Sequence, residues 1–234
     1  MKTKLILLSV ALLMGVSACS IHKDFRKKGQ TKDGEHTWVD LGLPSGLRWA
    51  TCNVGAEKPE DYGYYYAWGQ ILPKEDYSWI TYKYANIAYN KLTKYCTDAG
   101  YGDDGFTDNK TILAPEDDAA HVNWRGIWRM PTKDEWQELM DNCVWVWTTQ
   151  NGVNGYLVTG KTNGNSIFLP AAGFRNGTSF YNVGHSGDYW SSSLLDDRPR
   201  SAWYVSFDSD GVHWYDYFRY YGQSVRPVCA FPTE

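Results

Sequence analysis

The hydrophobic pattern of the chain turns on one segment, residues 132–143. Trp136, Leu139, Met140 and Cys143 fall at i, i+3, i+4 and i+7, an apolar stripe at helical period. Lys133, Asp134, Gln137, Glu138 and Asp141 occupy the opposite face. Pro131 ends the preceding extended segment, and Thr132 with Glu135 has the spacing of a capping box. This predicts one amphipathic helix acting as scaffold. Elsewhere the pattern is that of short strands and turns. Residues 38–41 and 47–51 read as strands around the turn Leu43-Pro44-Ser45-Gly46. Trp145 and Trp147 alternate, and residues 155–160 and 166–172 form a hairpin across Lys161-Thr162-Asn163-Gly164-Asn165. Residues 201–208 alternate strictly, turn at Ser209-Asp210-Gly211, and alternate again over 212–217. Residues 224–230 close the set. Residues 62–69 are aromatic and β-prone, and 77–95 read as loop with a short helix. The predicted class is α+β: small antiparallel sheets, one main helix and long loops.

Aromatic residues make up 16% of the 234 residues, with twelve Trp and eighteen Tyr, a content that excludes disorder. The N-terminus carries a targeting pattern. Lys2 and Lys4 precede an apolar run, residues 5–14, well short of the ~20 residues a membrane-spanning helix needs. Val16-Ser17-Ala18-Cys19 is similar to a bacterial lipoprotein cleavage site, with Cys19 as the lipidated residue. The expected organisation is a signal peptide over 1–18, a polar tether over 19–36 and a domain over 37–234. Cleavage removes two lysines and no acids, so 21 basic residues face 27 acidic ones and the net charge becomes −6. That balance argues against a nucleic-acid partner, and the membrane is met through the lipid anchor alone.

Cys52, Cys96, Cys143 and Cys229 remain, an even number that permits two disulfides in an exported chain. Three connectivities exist. The expected pairs are Cys143–Cys229 and Cys52–Cys96, because Cys143 lies on the buried helix face and Cys229 in the last core strand. No C-x-x-C occurs, which argues against a redox or zinc site. The acidic cluster Asp103, Asp104, Asp108, Glu116, Asp117 and Asp118 allows a structural calcium, without EF-hand spacing. Asp117 and Asp118 also suit the first turn of a short helix over 115–122.

From Thr162 to Gly222 there is no Lys, Glu, Gln or Met. Tyr, Ser, Asp, Asn, Gly, His and Arg replace them, residue types that make contact surfaces with little side-chain entropy to lose. The candidate contact set is Tyr181, Asn182, His185, Asp188, Asp196, Asp197, Arg198, Arg200, Asp208, Asp210, His213, Tyr215, Asp216, Tyr217 and Tyr220. Asp188, His185 and His213 are also the candidate acids and bases of an enzyme, but no nucleophile–base motif accompanies them.

Several motifs fall in order along the domain: Asp40-Leu41-Gly42-Leu43-Pro44-Ser45-Gly46, Trp49-Ala50-Thr51-Cys52-Asn53-Val54-Gly55-Ala56, Tyr66-Ala67-Trp68-Gly69, Trp128-Arg129-Met130-Pro131-Thr132, Phe168-Leu169-Pro170-Ala171-Ala172-Gly173, Tyr189-Trp190-Ser191-Ser192-Ser193 and Ser224-Val225-Arg226-Pro227-Val228. Through them the chain resembles the Fibrobacter succinogenes major paralogous domain. The resemblance implies a C-type lectin-like fold of the formylglycine-generating-enzyme type in an exported, often lipid-anchored protein of the outer membrane. The cysteine pair of that enzyme is missing, since Cys229 stands alone beyond Cys143. The calcium-binding tripeptides of sugar-binding C-type lectins are missing too. Some proteins of that fold are targets of diversity-generating retroelements, whose randomised codons yield no Lys, Glu, Gln, Met or Trp, so that Trp190, Trp203 and Trp214 would be fixed positions between variable ones. The expected function is therefore recognition of a protein or glycan. An enzyme of unknown substrate and a structural envelope lipoprotein are the alternatives.

Overall fold

The computed structural model describes residues 30–33, by backbone, and 36–230. The signal segment 1–18 and Cys19 lie outside the described residues. In chain order the strands are β1 (Gln30–Asp33), β2 (His36–Asp40), β3 (Arg48–Ala50), β4 (Trp128–Arg129), β5 (Cys143–Gln150), β6 (Val153–Gly160), β7 (Ser166–Pro170), β8 (Phe174–Asn176), β9 (Ser179–Tyr181), β10 (Gly187–Leu194), β11 (Ser201–Asp208), β12 (Gly211–Phe218) and β13 (Val228–Cys229). Two α-helices are described, α1 (Ala119–Trp124) and α2 (Lys133–Asn142). Part of the segment read as a tether is thus strand β1, paired antiparallel with β2.

The α+β, C-type lectin-like expectation is overturned. Strand makes up 38% and helix 13%, and the fold is β-rich. The cause is plain in α2: it is ten residues long, and no second helix of comparable length accompanies it among the described residues. Four antiparallel sheets carry the architecture, ordered β1-β2-β3-β13-β4, β5-β6-β7, β10-β11-β12 and β8-β9.

Helix α2 is capped as its sequence requires. Thr132 and Glu135 form a reciprocal capping box, and Arg129 clamps the Glu135 carboxylate. Trp136 and Leu139 are buried, while Cys143 is the first residue of β5 and no longer helical. The region predicted as a helix over 115–122 divides in two. Pro115–Asp117 is a single 3-10 turn, and Asp118 then caps α1 by accepting from the Ala120 and His121 amides.

Sheet β10-β11-β12 is the middle layer. Its register pairs Tyr189 with Val205 and Val205 with Trp214, which places these on one face. That face, which also carries Phe207, packs with Trp136, Trp49 and the Tyr156 side of β6. Trp190, Tyr204 and Tyr217 point the other way and join Trp68, Tyr95 and Tyr66 from the long connection between β3 and α1. All eight residues of β10 are buried, because both faces are covered.

No disulfide joins the four cysteines among the described residues, which corrects both expected pairs. Cys143 packs with Trp136 and Leu139, whereas Cys229 belongs with Ala50 and Trp128 in a separate apolar group. Cys96 donates its thiol to the Asp98 carbonyl at 3.1 Å, and Cys52 lies 3.5 Å from the Thr51 hydroxyl. The acidic cluster disperses in the same way. Asp103 and Asp104 pair with Lys91, and Asp108 accepts from the Tyr95 and Cys96 amides at 2.9 Å. Asp117 is held by Lys94, Tyr84 and Tyr95. Among the described residues no three His, Cys, Asp or Glu side chains converge as a metal site.

Candidate functional site

Alternation along β12 decides which tyrosines reach the surface. His213, Tyr215 and Tyr217 lie on one face, opposite Ser206, Tyr204 and Ala202 of β11. Tyr215 is 51% exposed, but Tyr204 beneath it is buried. The β8-β9 hairpin stands against this face. Its register pairs Phe174 with Tyr181, and their rings stack at 5.3 Å. Phe174 touches Tyr217 and Tyr221 at 5.9 and 5.8 Å. Tyr221 meets Tyr217 at 4.0 Å and Tyr220 at 4.6 Å. Tyr181, Tyr217 and Tyr220 thereby form one tyrosine face, which Tyr204 extends from Tyr217 to Tyr215 at 5.9 and 6.1 Å, with His213 at its margin, 6.2 Å from Tyr215. Burial pushes the Tyr217 and Tyr221 phenols up to about 12, so at neutral pH they are hydrogen-bond donors without charge.

The remaining predicted residues do not gather there. Asn182 and His185 are exposed in the connection after Tyr181. Asp208 and Asp210 sit at the β11–β12 turn, where the Asp208 carboxylate accepts from the Asp210 amide. Asp196 and Asp197 are exposed beyond the C-terminal end of β10. Asp216 alternates onto the opposite face beside Trp203 and pairs with Arg198 at 3.2 Å. Arg200 lies over Tyr89, Tyr101 and Phe218.

Asp188 is buried and belongs beneath the tyrosine face, not on it. Its carboxylate accepts from the Ser186 and Ser206 hydroxyls at 2.7 and 2.9 Å. Burial pushes this carboxyl above the ordinary range, against the pull of the two hydroxyls. No hydrogen bond joins it to His185 or His213 among the described residues.

Residues 145–228 match a family described as a domain of unknown function (DUF8237). No curated protein and no solved structure matches the chain. The matched span holds the whole tyrosine face, hairpin included.

A second concavity escaped the sequence reading. On the other side of the β8-β9 hairpin a cleft of about 700 Å³ opens between Tyr62, Tyr64 and Tyr65, the segment 73–75, Tyr77, Arg175 and Phe180. Its wall comes from the tyrosine run 62–66. Gly63, at φ +71°, turns that run so that the Tyr64 amide reaches the Val54 carbonyl; a Cβ there would lie 2.5 Å from that same carbonyl. Tyr65 turns inward and donates to the Ala172 carbonyl, leaving Tyr64 outside. The signal lay in five consecutive residues with four tyrosines, which reads equally well as an inner strand.

Proposed function

We propose that the protein is an exported, lipid-anchored recognition protein that binds a protein or glycan across its tyrosine face. The supporting observation is the coupling of Tyr181, Tyr217 and Tyr220 through Phe174 and Tyr221 into one partly exposed aromatic surface. Such rings present large, stiff contact area at low entropic cost, and their phenols supply directional hydrogen bonds. The anchor rests on the segment ending at Cys19, and the outer membrane is its proposed location. Were the surface diversified, Tyr181, Asn182, His185, His213 and Tyr215 would be its open positions, whereas Asp188 and Tyr204 are inside.

The enzymatic alternative would draw on Asp188, His185 and His213. The hydrogen bonds of Asp188 to two serines favour a structural role for that carboxylate. The test is a screen of the mature chain against envelope glycans and proteins, followed by Tyr215→Ala, Tyr217→Ala and Arg198→Ala. Either tyrosine variant should weaken any ligand found by roughly ten-fold, a typical loss for an aromatic contact residue. Arg198, on the opposite face with Asp216, should matter little. Unchanged binding in both tyrosine variants refutes the reading.

A further inference from the structure

We propose that the cleft beside Phe180 is a second ligand site, and that its ligand is a neutral carbohydrate. Its volume lies in the range of small-molecule sites. Phe180 and Tyr64, two of its rings, are 58% and 54% exposed. Large apolar side chains gathered around a concavity mark a contact surface.

The charge inventory narrows the chemistry. The cleft holds two cations, and both are already committed to neutral oxygens. Arg175 donates from Nη1 to the Lys74 carbonyl at 3.0 Å and from Nη2 to the Glu75 and Thr178 carbonyls at 2.9 and 3.1 Å. Its guanidinium lies over Tyr77 at 5.0 Å and Phe180 at 4.5 Å, and Nε is buried out of reach. Lys74 gives its three donors to the Gln70 amide oxygen and to the Thr81 carbonyl and hydroxyl. An anion would therefore have to displace existing bonds. A cation would meet the like charge of Arg175 and Lys74, and two of the rings, Tyr77 and Phe180, are already covered by Arg175.

What stays open is of another kind. The Glu75 carboxylate is exposed and forms no ion pair among the described residues. The phenols of Tyr62 and Tyr64 form no hydrogen bond with described residues. Exposed ring faces, one free carboxylate and two free phenols suit a molecule with C–H faces and many hydroxyls. A pyranose stacks its C–H face on a ring and directs its hydroxyls to the carboxylate and phenols.

This site stands apart from the tyrosine face. Phe180 and Tyr181 are adjacent in β9 and point to opposite sides of the hairpin, one to each surface. The two sites can thus be lost separately.

Isothermal titration of the mature chain with cellotetraose, xylotetraose and mannotetraose tests the proposal, with tetramethylammonium chloride and sodium acetate as charged probes. At least one oligosaccharide should bind. Tyr64→Ala, Phe180→Ala and Glu75→Gln should each weaken it by roughly ten-fold, about the worth of one ring contact or hydrogen bond. Val144→Ala, at an exposed side chain of β5 outside both surfaces, should leave it unchanged. Phe180 also covers Arg175, so Tyr64→Ala and Glu75→Gln, at exposed side chains, guard against a folding artefact. The proposal is overturned if none of the three sugars binds at millimolar concentration, if binding survives both of those variants, or if only a charged probe binds.

Discussion

Arg219 offers the sharpest test of how the tyrosine face is held. It is fully buried, and every acceptor it reaches is a neutral oxygen. Nε donates to the Tyr82 hydroxyl at 2.9 Å, Nη1 to the Tyr95 and Pro199 carbonyls at 2.9 and 2.8 Å, and Nη2 to the Lys94 carbonyl at 2.9 Å. The guanidinium also lies 5.1 to 5.9 Å from the rings of Trp68, Tyr82 and Tyr95. It ties the 82–95 loop and the connection before β11 to the chain beside Phe218 and Tyr220. Arg219→Met would leave four acceptors unmet at about 1–3 kcal/mol each, or roughly 4–12 kcal/mol in all. Several kcal/mol return because a charge need no longer be desolvated. The net loss should be about 3–5 kcal/mol, a large part of the ~5–15 kcal/mol that holds a typical domain folded. Arg219→Lys keeps the charge but lacks the planar fork, and should lose about 1–3 kcal/mol. Urea unfolding followed by tryptophan fluorescence measures both. A Met variant within about 1 kcal/mol of the parent, at unchanged m-value, would mean that desolvation cancels these bonds and that the fork adds nothing to stability.

Other consequences follow from single groups. The raised pKa of buried Asp188 gives stability that is complete below the unfolded carboxyl pKa and lost as pH rises through the folded value. Asp188→Asn should therefore gain on the parent as pH increases, in urea titrations at pH 4 and pH 8; a gap independent of pH contradicts this. Glu135 has the opposite sign: burial raises its pKa, but the Arg129 guanidinium and the Thr132 amide bring it below the ordinary value. Its contribution is present above the unfolded pKa and lost as pH falls through the folded one, so Glu135→Gln should flatten the acid limb of the same titration. Gly173 sits at φ +62°, and a Cβ there would lie 2.0 Å from the Tyr181 carbonyl. Gly173→Ala should cost about 2 kcal/mol or more and weaken binding at the tyrosine face, read by thermal melts and titration. Finally, maleimide should label half-exposed Cys52 in the native protein, and Cys96, Cys143 and Cys229 only after unfolding. Burial, which pushes the Cys143 thiol up to about 11, slows it further. Failure to label those cysteines in denaturant without reductant would restore the disulfides.

Helix α2 was readable because capping and period are local: Thr132, Glu135, Trp136 and Leu139 lie within eight residues. The β11–β12 hairpin was readable for the same reason, since each strand alternates and Asp210-Gly211 marks the turn. Strand β10 was not, because a strand covered on both faces has no polar side to alternate with. Two of its serines, which look like loop, are buried with their hydroxyls occupied: Ser191 donates to the Trp203 carbonyl at 2.8 Å, and the Ser193 hydroxyl accepts from the Lys133 amide at 3.1 Å. Asp188, Asp216 and Arg200 fall away from the face that holds Tyr181, Tyr215, Tyr217 and Tyr220 for a related reason. Alternation puts Tyr215 outside and Asp216 behind it, but which face meets solvent depends on what packs there. That is set by Trp68, Tyr82 and Tyr95, more than a hundred residues away in sequence.

Both surfaces converge on the β8-β9 hairpin, and its register is what keeps them distinct. Phe174 opposite Tyr181 serves the tyrosine face, and Arg175 opposite Phe180 serves the cleft. A slip of one residue would exchange them, placing the guanidinium under the tyrosines and an aromatic ring in the cleft wall. Two main-chain pairs oppose the slip from different sides. Tyr77 and Gly177 exchange hydrogen bonds at 2.9 and 2.8 Å, and Arg175 and Gly222 at 2.7 and 2.9 Å. Arg175 adds its three carbonyl bonds to the 74–75 segment and to Thr178. The hairpin is thus pinned from both surfaces, by Tyr77 and the 74–75 segment on the cleft side and by Gly222, next to Tyr221, on the side of the tyrosine face. A ligand at one face can strain the other only by loosening those pins.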